Sequence, residues 1–113
     1  MEQPLRYLVV RQKTGDTVKM DFLQVQKATF TVRAVNNKLR QQIMQVLSQR
    51  ETMSVTELYN AMGLEQSVVS QHLSILRRAG MLKMKKSGKN TFYSLDAERF
   101  ARLSEEVKGI INL

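Results

Sequence analysis

The sequence predicts a mainly α domain with one small β-hairpin, an α+β class. Three observations carry that reading. Apolar residues recur at helical spacing in several separate segments, the period changes to about two after Gly80, and Gly-containing turn signals fall where the segments meet. The length, 113 residues, suits one domain with a modest core.

Residues 1–16 read as an N-terminal arm or a short strand, with Leu5–Val10 the strand-like part and Thr14-Gly15-Asp16 the turn that ends it. From Thr17 to Val35 the spacing of Phe22, Val25, Ala28 or Thr29, Val32 and Val35 predicts a helix. Asn36-Asn37 punctuates. Leu39, Ile43, Val46 and Leu47 then stand at i, i+4, i+7 and i+8, an amphipathic stripe that ends near Gln49-Arg50. In Met53-Ser54-Val55-Thr56-Glu57-Leu58, Ser54 and Glu57 fit a capping box, and Met53 with Leu58 fits a hydrophobic staple. They start a short helix over 55–62, which Gly63 closes as a left-handed cap. A further helix occupies 64–79, so two short helices flank a tight turn containing Gly.

Residues 81–95 alternate as two strands, Met81–Lys86 and Thr91–Leu95, around Ser87-Gly88-Lys89-Asn90. Asp96 caps a last helix over 96–111, on which Phe100, Leu103, Val107 and Ile110 stand at i, i+3, i+7 and i+10. This order of elements is a winged helix-turn-helix.

Composition narrows the chemistry. Lys and Arg number 18 against 10 Asp and Glu, a net charge of +8, which favours an anionic partner: nucleic acid first, then an acidic protein or an anionic membrane surface. There is no cysteine, which excludes disulfides, thiolate metal sites and thiol redox sensing, and one histidine without cysteine excludes the usual zinc site. Aliphatic runs reach only three residues, as at Leu8-Val9-Val10, so neither a membrane span nor a signal segment is expected and the protein reads as cytoplasmic. No nucleophile elbow, phosphate-cradling loop or nucleophile–base pair is visible, so no enzyme and no cofactor are expected.

The helix over 64–79 is the informative one. On a helical wheel Val69, Leu73 and Leu76 share one side, while Ser67, Ser70, Gln71, Ser74 and Arg78 share the other. A helix that only meets water usually carries Lys and Glu there. A major groove is ~12 Å wide and nearly filled by a helix, so the inserted side chains must be short and must offer donors and acceptors. Gln pairs with adenine, and Ser suits base edges or phosphates. Residues 66–95 also hold Arg77, Arg78, Lys83, Lys85, Lys86 and Lys89 with no Asp or Glu, most of them in the hairpin, where a wing meets the phosphate backbone. The candidate DNA-binding set is these residues with Gln66 and Asn90. Serines and lysines on a surface are also compatible with plain solvation. A protein-interaction module for an acidic partner and an RNA-binding winged helix are the alternatives; few aromatics lie near the basic patch to stack on RNA bases.

The stretch LEQSVVSQHLSILRRAGML resembles the recognition helix of ArsR-type winged-helix regulators, through Ser67, Ser70, His72, Leu73, Leu76, Ala79, Gly80 and the apolar Met81 or Leu82. AVNNKLRQQIMQVL, with Asn37 and Arg40 at the polar positions, and KKSGKNTFYSL are similar to that family's preceding helix and wing. The resemblance implies a homodimeric repressor on an imperfect palindrome of double-stranded DNA. Its dimer contacts would lie on the first and last helices, at Phe22, Val25, Val32, Phe100, Leu103, Val107 and Ile110, and Lys89 would take the place of the basic wing residue. The family's thiolate pair is replaced by ELYNAMG, and its last-helix Asp-His-Glu set keeps only Asp96, so no metal ligand is expected at either place. Any inducer stays open. His72, on the edge of the buried stripe, reads as a packed or phosphate-neighbouring histidine rather than a ligand, and the scattered methionines read as core filler.

Overall fold

The computed structural model describes residues 5–112. The expectation for residues 1–4 lies outside that range. The described residues fall into two compact units, one ending at Arg33 and the next beginning at Ala34.

The first unit corrects the sequence reading. Residues 17–21, expected to open a helix, instead form a strand, β2 (Thr17–Asp21), antiparallel to β1 (Tyr7–Arg11), and the helix α1 starts at Phe22 and runs to Val35. The reason is local. Gly15 takes φ +96°, and Gln12 N–H donates to Asp16 O at 2.8 Å, so the chain reverses tightly and β-branched Thr17 and Val18 return opposite Arg11 and Val10. Asp21 ends the strand and starts the helix. Its Oδ1 accepts from the Leu23 N–H at 3.0 Å, and both carboxylate oxygens accept from Arg6, at 2.7 and 3.0 Å. The Arg6 guanidinium holds that carboxyl below its usual range, and the Leu23 amide adds to the effect.

The second unit follows the expected order. Helix α2 (Lys38–Gln49) is capped by Asn37, whose Oδ1 accepts from Arg40 N–H at 3.0 Å. Helix α3 (Val55–Met62) carries the capping box in full: Glu57 N–H donates to Ser54 Oγ at 3.1 Å and Ser54 N–H donates to Glu57 Oε1 at 3.0 Å. Gly63, at φ +65°, ends it in the left-handed conformation. Helix α4 (Gln66–Arg78) comes two residues later.

A strand absent from the sequence reading, β3 (Met53–Ser54), pairs with β5 (Asn90–Leu95), which in turn pairs with β4 (Leu82–Ser87), so the sheet order is β3-β5-β4. Two residues are too few to show alternation, and the capping signal dominates the same stretch. Helix α5 (Ala97–Ile111) closes the chain, with Asp96 Oδ1 accepting from Arg99 N–H at 3.2 Å.

The core unites these elements. Ile43 and Leu47 of α2, Met53, Leu58 of α3, Val69, Leu73 and Leu76 of α4, and Met81 and Leu82 at the sheet are all buried. Met44, Met53 and Met81 are buried members of this cluster, the filler role expected of methionine. Helix α5 buries no residue fully, although Leu103 packs against the cluster.

At the junction of α4 and β4, Gly80 stands at φ +83°, and a Cβ there would collide with the Arg99 guanidinium. A side chain is therefore opposed by the backbone, at about 1–2 kcal/mol for the left-handed conformation, with the displacement of Arg99 in addition. Gly80→Ala is expected to lower unfolding stability by at least that amount in urea denaturation, whereas Gly109→Ala, in the last turn of α5 with no heavy atom near the added methyl, is expected to be neutral or stabilising.

Candidate nucleic-acid interface

The orientation of α4 is set by its inner stripe. Val69, Leu73 and Leu76 are each 0% exposed, so the helix cannot rotate without bringing a branched side chain into water. The opposite face is thereby directed outward: Gln66, Ser67, Ser70, Gln71, Ser74, Arg77 and Arg78 are all exposed. Among the described residues, the side chains of Ser67, Ser70, Gln71 and Ser74 make no hydrogen bond within the protein, so their donors and acceptors remain available.

The helix start has a related property. Glu65 occupies the N-cap position but gives no side-chain cap hydrogen bond. The first amides of α4 are left to water or to an anion, and the helix dipole favours the anion.

The hairpin divides the lysines more finely than the sequence reading did. The register pairs Leu82 with Leu95, Lys83 with Ser94, Met84 with Tyr93, Lys85 with Phe92 and Lys86 with Thr91. Lys83 and Lys85 therefore share one face of the wing, and Lys86 lies on the other, in line with Leu82 and Met84 but beyond the core. Lys89 sits in the two-residue loop beside Gly88, which takes φ +63°, and Asn90 opens the return strand; Lys83, Lys85, Lys86, Lys89 and Asn90 are exposed. All of the candidate DNA-binding residues thus lie in one unit on α4 and the wing that follows it, and none is turned into the core.

The main-chain joint between them is short. Met81 N–H donates to Leu76 O at 3.0 Å, and Met81 O accepts from Asp96 N–H at 2.8 Å. The last turn of α4 and the start of α5 are therefore both tied to one buried residue.

One pair escaped sequence reasoning. His72 of α4 and Arg40 of α2 meet across the core edge, with Arg40 Nη1 at 3.1 Å from His72 Nδ1. Arg40 is always a donor, so Nδ1 is the unprotonated acceptor and the ring proton sits on Nε2. Arg40 Nε also donates to Ala34 O at 2.5 Å, so one guanidinium ties α2 to α4 and to the backbone before it. Residues 32 apart on two helices leave no periodic signal. Their polar character at an otherwise apolar interface is the trace a reader has to work from.

For the dimer candidates, Val25, Val32, Phe100 and Ile110 are exposed, while Phe22, Leu103 and Val107 are partly buried. Among the described residues no three of His, Asp and Glu gather as a metal site would require, and no helix is long and apolar enough to cross a membrane.

Burial first, and then the Arg40 charge, lower the His72 pKa from 6.5. The sign follows from linkage: between the lowered native value and 6.5 the unfolded chain binds the extra proton, so folding stability drops as pH falls through that window. The thermal midpoint is therefore expected to decline on acidification from pH 6.5 downward, and His72→Gln is expected to flatten that decline above the range where carboxylates titrate.

Comparisons with known proteins agree on one family. The profile of "Bacterial regulatory protein, arsR family" matches residues 37–83. The chain is 39% identical over 87 residues to the transcriptional activator HlyU of Vibrio cholerae, covering 77% of this chain and 73% of that protein. It is 34% identical over 107 residues to a transcriptional repressor SmtB homolog of Synechocystis, covering 94% and 79%. Among solved structures, the homodimeric winged helix-turn-helix DNA-binding domain of a possible ArsR-family regulator from Mycobacterium bovis has the same fold, with TM-score 0.68 at 23% identity over 80% of this chain and 83% of that one.

Proposed function

The chain belongs to the arsR family of bacterial regulatory proteins, and from that premise we propose that it acts as a homodimer on a two-fold DNA operator. It is a winged helix-turn-helix transcription regulator that binds DNA, and it is not an enzyme. The finer reading concerns how it binds, where, and with what effect.

In that reading α4 enters the major groove. Gln66, Ser67, Ser70, Gln71 and Ser74 meet base edges and nearby phosphates, and Arg77 and Arg78 lie toward the flanking backbone. The observation that carries it is the outer face of α4: short, exposed, uncharged side chains with unspent hydrogen-bonding capacity, directed outward by a stripe that is wholly buried. The wing supplies affinity of a different kind. Lys83, Lys85, Lys86, Lys89 and Asn90 lie in a segment with no acidic residue, which suits phosphate contacts that release counterions and carry no sequence information.

The dimer places two such helices in successive major grooves, with half-sites ~34–36 Å apart. Phe22, Val25 and Val32 of α1 and Phe100, Leu103, Val107 and Ile110 of α5 form the contact, since both helices repeat the i, i+3, i+7 or i+10 spacing of a packing seam. Repression by occluding a promoter in the cytoplasm is the mode proposed. Of two similar proteins, one is named an activator and the other a repressor.

Two substitutions separate the roles. Gln71→Ala is expected to cost ~1–3 kcal/mol on the operator and far less on random DNA, measured by fluorescence anisotropy. Equal losses on the two sequences would remove Gln71 from base reading. Lys89→Ala is expected to weaken both alike and to shallow the plot of log affinity against log salt by about one unit. An unchanged slope would take Lys89 away from the phosphates.

A further inference from the structure

The N-terminal hairpin has two unlike faces. Its register pairs Tyr7 with Asp21, Leu8 with Met20, Val9 with Lys19, Val10 with Val18 and Arg11 with Thr17. Side chains of paired residues share a face, and alternate pairs change sides. One face is therefore Leu8, Val10, Val18 and Met20, without a single polar atom except a thioether. The other face is mixed, with the Lys19 ammonium 3.9 Å from the Tyr7 ring centre.

The apolar face lies open. Leu8, Val10, Val18 and Met20 are 45%, 52%, 48% and 52% exposed. A two-stranded hairpin is marginal alone in water and needs its apolar face covered to persist. The strands are also not a loose arm: the Arg6–Asp21 ion pair and the Asp21 cap on Leu23 join the hairpin directly to the first turn of α1.

What covers the face is indicated by where the exposed apolar surface lies. Thirteen large hydrophobic residues are exposed among the described ones, and all of them fall within residues 5–32 or 100–111. The helix-turn-helix and wing between have none. Seven of the thirteen, Leu5 to Met20, belong to the hairpin and its approach, and the rest lie on α1 and α5. Within the first unit the hairpin runs directly into α1 through Asp21, so its uncovered surface leads into the helix that the dimeric reading assigns to the contact. Charge argues the same way. A two-fold contact brings a surface against the same chain, and on a protein of net charge +8 an uncharged face is the one least opposed by self-repulsion. Phosphates would find no cation on it.

We propose that the Leu8, Val10, Val18 and Met20 face of the hairpin is a dimer contact, covered by a second copy of the same chain. This rests on the dimeric reading above and extends it beyond α1 and α5. The hairpin then fixes the position of α1 in the dimer, because Asp21 belongs to both.

The absence of cysteine makes the test clean. Val10→Cys in the full chain gives one thiol, which is labelled with benzophenone-maleimide. Light and nitrogen-15 labelled proteins are mixed, dissociated and reassociated, and irradiated, and the cross-linked peptides are sorted by mass. Cross-links joining light to heavy chains are expected, making up about half of the total, as random pairing in a symmetric dimer requires. Cross-links confined to one isotope would show the face covered by its own chain, and no cross-link at all would show it uncovered; both overturn the proposal. Sedimentation of the unmodified chain separates the two readings, because a monomer would overturn the dimer itself, whereas a dimer with only same-chain cross-links overturns the hairpin contact alone. As a second arm, Val10→Lys with Val18→Lys is expected to raise the dimer dissociation constant at least tenfold with the helical circular dichroism signal kept, and an unchanged constant would count against the contact.

Discussion

Burial of Val69, Leu73 and Leu76 on one side of α4 is the constraint on which the rest of the molecule depends. Each is a branched side chain removed entirely from water, and exposing any one costs on the order of 1.5–3 kcal/mol. A rotation of the helix would expose all three together. The stripe thus fixes the azimuth of α4, and the azimuth decides which residues a groove can receive. The helix is held in this way from below by the core, and its outer side chains are left free to be chosen for chemistry.

Legibility in the sequence followed the range of the forces involved. The capping box of Ser54 and Glu57, the left-handed Gly63 and the α4 stripe are set by neighbours within a few residues, and each stands in the structure where the sequence placed it. Strand β3 was not legible, because two residues pair with β5 only after the chain has closed on itself, and a ladder of that length has no periodicity of its own. Thr17–Asp21 was misread because the helical spacing that begins at Phe22 was extended back to the Thr14-Gly15-Asp16 turn, whereas pairing with Tyr7–Arg11 across that turn makes the segment a strand.

The candidate site shows the same division. Which residues of α4 point outward was readable from the wheel, since a helix has one period and one buried side. How the wing lysines divide between two faces was not, because it depends on the register of β4 against β5, and a shift of one residue would exchange Lys83 and Lys85 with Lys86. The Arg40–His72 contact was the least accessible. It joins two helices through a geometry that only the packed core creates, and it adds the Arg40 charge to the burial that already lowers the His72 pKa.

Met81 gives the fold a separation between reading and architecture. Its amide closes the end of α4 and its carbonyl receives the start of α5, so main-chain atoms, with no side-chain donor or acceptor involved, set the spacing between the helix proposed to read DNA and the helix that closes the chain. Residues at Ser67, Ser70, Gln71 and Ser74 can then be exchanged over evolutionary time without retuning that spacing. A descendant of this chain could acquire a new target sequence while keeping its scaffold dimensions, because the vocabulary and the ruler are written in different atoms.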